Sequence, residues 1–353
     1  MALRRGSQAE GYVTLRRTMS LGVVMLAVAM VWIWVDAPPE PLGATYSHDS
    51  CRRVDLRHDL TEAPIVGAED LLFAPDGAHV IVSAHDRTDI DFKSGGLYAV
   101  AIDDLIRETR VTAKRVHTGD SRVVPFRPHG IALSPNGSRL AVVTRPAEAE
   151  AEVQIGELDG LIWTPDVRLT GRKLCRANDL AFASSEEDIL RITLDRASCE
   201  GDIRDILPGA TTGQIVRFQD GGIAQERDRL AFPNGILPGF FAETRAERLH
   251  LPDLGPVALP GGPDNLSLDE AGQVVAALHP KLLHLALLRG GWRDRSGSRI
   301  VRVDPRDGAI EVLFDDPKGE LYSAATAAIH GDGLLIMGSA YDSGLLVCEQ
   351  GLR

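Results

Sequence analysis

The stretch Asp70–Asp86, DLLFAPDGAHVIVSAHD, contains the pattern on which most of the chain is built. An acidic residue opens a short apolar run, Pro-Asp-Gly follows as a turn sequence, and a second apolar run rich in β-branched residues comes after it. Apolar runs on both sides of such a turn predict a β-hairpin.

The same pattern returns four more times, and each copy is opened by a polar residue. Hairpins that recur at a spacing of roughly 50 residues predict a β-propeller, in which each blade is a four-stranded sheet. A β-sandwich would not repeat in this way, and an α/β fold needs amphipathic helices, for which only a short candidate exists at residues 281–289. The further copies are His129–Pro146 (HGIALSPNGSRLAVVTRP), Asp179–Asp195 (DLAFASSEEDILRITLD), Asn265–Pro280 (NLSLDEAGQVVAALHP) and Thr326–Glu349 (TAAIHGDGLLIMGSAYDSGLLVCE).

Counting the starts of the repeats predicts an all-β, six-bladed propeller. The interval from Asn234 to Asp264 spans only 30 residues (264 − 234), which is short for four strands, so a trimmed blade is expected there. The predicted starts lie near Asp70, His129, Asn178, Asn234, Asp264 and Thr326.

The N-terminal segment differs from the rest of the chain. Arginines precede the uncharged run Thr18–Val35, and 18 helical residues span about 27 Å, close to the hydrocarbon thickness of a bilayer. The basic flank predicts that this end stays in the cytoplasm and that the remainder is exported, to the periplasm or the extracellular side. We expect a cytoplasmic tail (1–17), a signal anchor or transmembrane helix (18–35), a linker (36–50) and the propeller (51–353). A cleaved signal peptide, which would leave a secreted protein, is the alternative.

Composition excludes some partners and permits others. The net charge of −12 argues against nucleic-acid binding, since no basic face is available to displace counterions. The 35 glycines and 20 prolines suit short strands joined by turns. Four cysteines are an even number, so disulfides are permitted after export, although four buried free thiols are the alternative.

Polar residues at the starts of the repeats predict a metal site. The innermost strands of a propeller line its central channel, so residues at equivalent positions converge although they are far apart in sequence. Apart from one histidine they are oxygen donors, which suits calcium with its six to eight oxygen ligands, whereas zinc or copper would need more histidine or cysteine. These residues are Glu69, Asp70, His129, Asn178, Asp179, Asn234, Asp264 and Asn265.

Six short motifs follow one another along the chain: GAEDLLFAPDG (67–77), FRPHGIALSP (126–135), RANDLAF (176–182), FPNGI (232–236), GPDNLSLD (262–269) and GSAYDSGLLVCE (338–349). In this order they resemble the serum paraoxonase/arylesterase family, and the resemblance extends from about Cys51 to Glu349. The resemblance implies a six-bladed propeller with two calcium ions in the channel and a disulfide that joins its ends. One ion would be catalytic and would polarise the carbonyl of a bound lactone or ester, and the other would be structural.

The resemblance also implies a role for each matching residue. His129 would be the general base above the catalytic ion, and His279 would contact substrate. The terminal disulfide would join Cys51 to Cys348. The catalytic calcium would be held by Glu69, Asn178, Asn234, Asp264 and Asn265. The structural calcium would be held by Asp70, Asp179 and the backbone carbonyl of Ile131.

One departure from the family affects the predicted mechanism. The family's second histidine falls in a segment that reads VVTRP here, so Thr144 or Arg145 takes its place. Arginine stays protonated and cannot relay a proton. If the pair of histidines is essential, this protein is impaired; the alternative is that Glu69 or Asp264 takes the base role.

Two other groups of residues receive non-catalytic interpretations. Cys175 and Cys199 flank one hairpin and could form a second bridge or remain two small buried residues. The other histidines are assigned to core or capping roles, namely His85, His117, His250, His284 and His330.

The sequence thus predicts a calcium-dependent lactonase or arylesterase that acts on a small-molecule substrate and is attached to a membrane through its N-terminal helix. A gluconolactonase-like sugar lactonase is one alternative. A non-catalytic propeller that uses calcium only for stability is the other.

Overall fold

The structure, a computed structural model, describes residues 35–87, 95–116, 126–147, 150–183, 186–200 and 209–350. The predicted tail and, apart from Val35, the predicted anchor lie outside these ranges. No helix within them is both long enough and apolar enough to cross a bilayer. The chain divides into Met1–Pro39 and Glu40–Arg353, and the second unit carries all the strands described below.

The described residues form an all-β, propeller-like fold with few helices. The helices are α1 (Ile102–Arg107) and α2 (Leu282–Arg289), and short 3₁₀ turns occupy His48–Ser50 and Arg172–Leu174. The first twelve strands are β1 (Cys51–His58), β2 (Ala68–Phe73), β3 (His79–Ala84), β4 (Gly96–Ala101), β5 (Arg110–Arg115), β6 (Pro128–Leu133), β7 (Arg139–Ala147), β8 (Glu150–Asp159), β9 (Ile162–Leu169), β10 (Ala177–Ala183), β11 (Glu186–Leu194) and β12 (Gly213–Gln219). The next twelve are β13 (Gly222–Leu230), β14 (Pro233–Leu237), β15 (Phe240–Glu243), β16 (Arg248–Leu251), β17 (Gly255–Ala258), β18 (Gly262–Leu268), β19 (Val274–His279), β20 (Ser298–Val303), β21 (Ile310–Asp316), β22 (Ala325–Gly331), β23 (Leu334–Ser339) and β24 (Leu345–Glu349).

Sixteen of these strands form four separate blades, each a four-stranded antiparallel sheet in chain order: β6–β9, β10–β13, β14–β17 and β18–β21. The other eight form one continuous sheet in the order β2-β3-β4-β5-β1-β24-β23-β22. Inner strands are buried on both faces because neighbouring sheets cover them, and every residue of β19 is buried. This explains why these strands are almost entirely apolar rather than alternating.

The expected trimming of one blade is wrong. The interval after Asn234 holds a complete sheet of four strands, β14–β17, each four or five residues long. Strands of this length span about 13–17 Å, which is enough for a blade when the connecting turns are tight. Gly239 makes the turn between β14 and β15 with a positive φ of 88°.

The N-terminal strand β1 lies inside the eight-stranded sheet, between β5 and β24. β1 pairs antiparallel with β24 on one side and parallel with β5 on the other. Cys51 lies opposite Cys348 in this register, and the two form the disulfide that the resemblance implied. Cys175 and Cys199 form a second bridge, which decides the alternative left open by the sequence. Two disulfides indicate an oxidising, extracytoplasmic compartment.

Part of the segment expected to be a linker packs on β21. The backbone N–H groups of Thr45 and Tyr46 donate to the carbonyls of Val312 and Leu313. Tyr46 is only 2% exposed, so the chain before β1 contributes to the core.

We predict that the terminal disulfide contributes more to stability than the internal one. The first spans 297 residues and the second only 24. In the chain-entropy treatment, loops of these lengths correspond to about 6 and about 3.5 kcal/mol respectively. The double variant Cys51→Ser/Cys348→Ser should therefore lower the Tm more than Cys175→Ser/Cys199→Ser, as measured by non-reducing thermal unfolding. Equal shifts in Tm, or a larger shift on loss of the internal disulfide, would contradict this prediction.

Candidate functional site

Each strand that opens a repeat carries an irregularity at the same place. The pairing of β2, β6, β10, β14, β18 and β22 with the following strand shifts register near the beginning of each hairpin. Such β-bulges bend a strand and redirect its side chains. The residues inside five of these bulges include Glu69, His129, Asn178, Asn234 and Asp264.

Two glycines next to these residues allow neighbouring strands to approach each other. A Cβ atom on Gly130 would lie 2.4 Å from Asp179 Oδ1, and one on Gly235 would lie 2.5 Å from the carbonyl oxygen of Asp264. No other residue fits at such distances without moving the backbone. The His-Gly and Asn-Gly pairs are therefore requirements of close packing at the centre of the fold.

The bulged residues converge on one pocket, as the sequence predicted from their equivalent positions. Its wall includes Glu69, His129, Asn178, Asn234 and Asp264, and His279 joins them. The other predicted ligands, Asp70, Ile131, Asp179 and Asn265, are buried but are not part of the pocket wall.

Glu69 is paired with two basic side chains. Its Oε1 lies 2.8 Å from His129 Nδ1, and its Oε2 lies 2.7 Å from Arg87 Nη2. Burial alone would raise the pKa of this carboxyl, but Arg87 and then His129 outweigh burial and hold the pKa well below its usual range. Glu69 is therefore ionised despite being 1% exposed.

His129 is held neutral. Burial lowers its pKa well below the ordinary value, and although Glu69 opposes this shift, Arg87 adds to it. With Nδ1 directed at Glu69, Nε2 is the nitrogen that can accept a proton. Arg87 Nη2 lies 2.9 Å from Nε2 and 3.1 Å from Nδ1, so the guanidinium covers both ring nitrogens.

His85 is a neighbour of the site that the sequence interpretation missed. Its ring centroid lies 6.4 Å from that of His129, and its Nδ1–H donates to the carbonyl of Pro128 at 2.7 Å. Burial, and then the charge of Arg87, lower the pKa of His85 to about 3. It is thus a neutral residue with a fixed tautomer. It was assigned to the core, and it is buried, but it lies directly beside the candidate base.

Asp70 and Asp179 play matching roles. Each carboxylate accepts one N–H from its own strand and one from the next repeat: Asp70 from Ile131 at 2.9 Å and Asp179 from Ile236 at 2.9 Å. Burial raises the pKa of Asp179 to about 8, and burial together with the charge of Asp179 raises that of Asp70 well above its usual range. For Ile131, the contact described is its N–H, whereas the expected ligand atom was its carbonyl oxygen.

The described residues fit a hard cation in donor type. The Oδ1 atoms of Asn178, Asn234 and Asn265 are buried and accept no hydrogen bond from the described residues. Carboxamide oxygens in a site with the ionised Glu69 match the ligand preference of calcium. Within the described ranges no group of three or more His, Cys, Asp or Glu side chains is arranged to hold a metal. A cation site here would therefore depend on the amide oxygens.

Asp264 connects two of the predicted residues. Its Oδ2 lies 2.8 Å from His279 Nε2, and its Oδ1 accepts a hydrogen bond from Asn234 Nδ2. His279 is 1% exposed, so it positions Asp264 as well as forming part of the wall.

A second ring of pocket residues comes from the ends of the second strands. An antiparallel hairpin places the end of its second strand beside the start of its first, as the pairing of Pro128 with Thr144 illustrates. The sequence interpretation considered mainly the first strands and gave no role to several of these residues. The position after the second apolar run of each repeat was the signal that could have found them. The ring comprises Arg87, Arg145, Asp195, Arg245, His279 and Tyr341.

The chain matches no protein-family model and no curated protein. A solved structure of a protein of unknown function from Bacteroides thetaiotaomicron superposes with a TM-score of 0.55 at 12% identity, over 85% of this chain and 75% of that chain. This likeness shows the fold alone. A luciferin-regenerating enzyme (TM-score 0.49, 14% identity, 89% and 96% covered) and a gluconolactonase from Xanthomonas campestris (TM-score 0.48, 14% identity, 89% and 99% covered) are more distant.

We predict that, in the presence of a chelator, stability falls as pH rises. A carboxyl whose folded pKa is about 8 takes up a proton on folding wherever the unfolded Asp, with a pKa near 3.9, is ionised. Its stabilisation is therefore full below about pH 4 and is lost as pH rises through 8. Because the buried, neutral His85 and His129 make the opposite contribution below about pH 6.5, the Tm should fall by a few degrees between pH 7 and 9.

The variant Asp179→Asn should make this pH profile less steep, whatever its Tm at pH 7, and Asp70 accounts for the slope that remains. Asp103→Asn, at a side chain that is 73% exposed, is the matched control and should keep the wild-type slope. A wild-type Tm that is constant over this range would refute the assigned pKa.

Proposed function

We propose that this protein is a calcium-dependent hydrolase that opens lactones or aryl esters. The observation that carries the proposal is the convergence of Glu69, His129, Asn178, Asn234 and Asp264 on one pocket, with His129 neutral and hydrogen-bonded through Nδ1. A neutral, oriented imidazole beside a set of oxygen donors is the arrangement that hydrolysis of an activated carbonyl requires.

We infer that the propeller has six blades. The eight-stranded sheet separates into β2–β5 and a set formed by β22, β23, β24 and β1, and the parallel pairing of β1 with β5 joins the two sets in the strand order. With the four separate blades, this gives six. A closing blade made from both ends of the chain also explains why β1 is bonded to β24 by a disulfide.

The proposed cation sites follow the resemblance described above. The catalytic calcium would be held by Glu69, Asn178, Asn234, Asp264 and Asn265, and the structural calcium by Asp70, Asp179 and the carbonyl of Ile131. Three amide oxygens without a hydrogen-bond donor and two carboxyls with raised pKa values support this assignment. Calcium bound at the first site would polarise the substrate carbonyl and stabilise the developing oxyanion.

The residues of the chain supply the proton transfer. Glu69 Oε1 orients the His129 ring and favours the imidazolium that forms when Nε2 takes a proton from water. Arg87 Nη2 must leave Nε2 before water can reach it, since the two atoms are 2.9 Å apart. Thr144 or Arg145 takes the place of the family's second histidine, and the Nε and Nη2 atoms of Arg145 donate to the carbonyl of Ala177. The proposed mechanism therefore uses one histidine.

We also propose that residues 18–35 anchor the protein to a membrane and leave the propeller on the extracytoplasmic side. The uncharged run of 18 residues and its basic flank support an anchor, and the two disulfides support this side. A secreted form would result if this segment were cleaved.

We predict that hydrolysis of phenyl acetate and of an aliphatic δ-lactone depends on calcium. Chelation of the purified full-length protein should abolish activity and calcium should restore it. Asn178→Ala should weaken calcium binding in titration calorimetry at least tenfold, because it removes a buried oxygen ligand. Asn136→Ala, in an exposed hairpin turn, is the control. Full activity in chelator would exclude the cation mechanism, and inactivity with intact calcium binding would favour a non-catalytic propeller.

We predict that His129→Gln lowers kcat by about 10²–10⁴-fold, the range associated with loss of a general base. His79→Gln, which lies on the outer end of a hairpin beside Asp76, should leave kcat unchanged. Retention of the wild-type rate by His129→Gln would exclude histidine as the base and transfer that role to Glu69 or Asp264. Gluconolactone should be assayed beside the other two substrates. Hydrolysis of gluconolactone alone would identify a sugar lactonase.

A further inference from the structure

The pocket has a charge pattern that hydrolysis of a neutral ester does not need. Four of its wall residues are arginines, Arg87, Arg145, Arg245 and Arg289, although the chain as a whole carries a net charge of −12. A concentration of positive charge on an acidic protein attracts anions to that place.

The acidic wall residues are already engaged within the protein. Glu69 is paired with Arg87 and His129, and Asp264 is bonded to Asn234 and His279. Asp195 lies 3.4 Å from Arg145 and 3.6 Å from Arg196.

Two of the arginines retain donors for a ligand. Arg145 donates through Nε and Nη2, while its Nη1 has no partner among the described residues. Arg289 is exposed and forms no hydrogen bond or ion pair with any described residue. Arg289 also lies close enough for its charge to contribute, after burial and Arg87, to lowering the pKa of Arg145. Both residues line the same pocket, and an anion bound between two like charges would lower the cost of bringing them into one site.

Helix α2 gives this end of the pocket a matching apolar wall. Leu282, Leu285, Ala286 and Arg289 all line the pocket, and their spacing of i, i+3, i+4 and i+7 places them on one helix face. A ligand lying along this face would contact the apolar side chains, and the guanidinium of Arg289 would lie at the C-terminal end of the helix.

We propose that the substrate of this site is an ester or lactone whose acyl part ends in an anionic group, a carboxylate or a phosphate, bound by Arg145 and Arg289 with Arg245 nearby. The apolar part of the acyl chain packs on Leu282 and Leu285. Guanidinium groups bind both kinds of anion through charge-assisted, often bidentate hydrogen bonds. The proposal names the substrate class of the proposed hydrolase and rests on that function.

The rival explanation is that Arg289 only stabilises the C-terminal end of α2, where a cation is favoured by the helix dipole. In that case its loss would lower the Tm and would affect neutral and anionic substrates alike. A comparison of substrates separates this explanation from ours.

The test compares mono-phenyl glutarate with phenyl pentanoate, which has a similar acyl length but no charge. We expect kcat/KM to favour the anionic ester by about tenfold, mainly through KM, and this preference to shrink at high ionic strength. Arg289→Gln and Arg145→Gln should each reduce the preference severalfold, and Arg289→Lys should restore part of it. Arg107→Gln, at a side chain that is 72% exposed on α1, is the matched control and should keep the wild-type preference.

Direct titration of glutarate and of inorganic phosphate at fixed ionic strength separates the carboxylate from the phosphate and does not depend on catalysis. One possible outcome is that the protein hydrolyses neither ester but binds glutarate or phosphate, and that Arg289→Gln weakens this binding about tenfold. That outcome would retain the anion site and reject the hydrolase. Hydrolysis of both esters with equal kcat/KM would reject the anion site and retain the hydrolase. A wild-type preference that survives in both glutamine variants would also overturn the assignment to Arg145 and Arg289.

Discussion

Two buried carboxylates, Asp70 and Asp179, hold neighbouring repeats together at the centre of the fold. Each accepts one N–H from its own strand and one from the next repeat, at Ile131 and Ile236. These bonds fix the bulges, and the residue before each carboxylate, Glu69 or Asn178, is thereby fixed at the pocket wall. The same burial makes ionisation costly, which is why the pKa of Asp179 rises to about 8. A proton or a cation must therefore accompany these carboxyls at the centre of the protein.

Hairpin chemistry is local, so much of the architecture could be predicted from the sequence. Turns such as Pro75-Asp76-Gly77 and the apolar runs beside them depend on residues that are adjacent in the chain. Convergence of the first strands follows from the repeat, because equivalent positions in a propeller meet at its axis. The interval after Asn234 misled the prediction because strand length is set by packing between sheets, and four-residue strands are sufficient where neighbouring sheets cover them.

The chemistry of the site was less predictable because it depends on contacts between distant segments. From the sequence alone, Glu69 is predicted to be a cation ligand. In the structure its negative charge is neutralised by Arg87, which lies 18 residues later in the chain (87 − 69). His85 was predicted to be a core or capping residue, and it is buried. Only the folding of its hairpin brings it beside His129. From the sequence, Arg145 was interpreted only as part of a departure from the family's pair of histidines. In the structure it links two repeats through the carbonyl of Ala177 and forms part of the pocket wall.

Arg87 connects the electrostatics of the site to the proposed chemistry. Its Nη2 lies 2.7 Å from Glu69 Oε2 and 2.9 Å from His129 Nε2, so one guanidinium group both neutralises the carboxylate and covers the base. On the proposed function, Glu69 would be shared between this guanidinium and a divalent cation, and two cations beside one carboxylate repel each other strongly in a buried site. On this proposal, relief of that repulsion would move Arg87 away from Glu69, and the same movement would uncover the His129 ring. Binding at Glu69 and exposure of the proposed base would therefore be coupled through a single side chain.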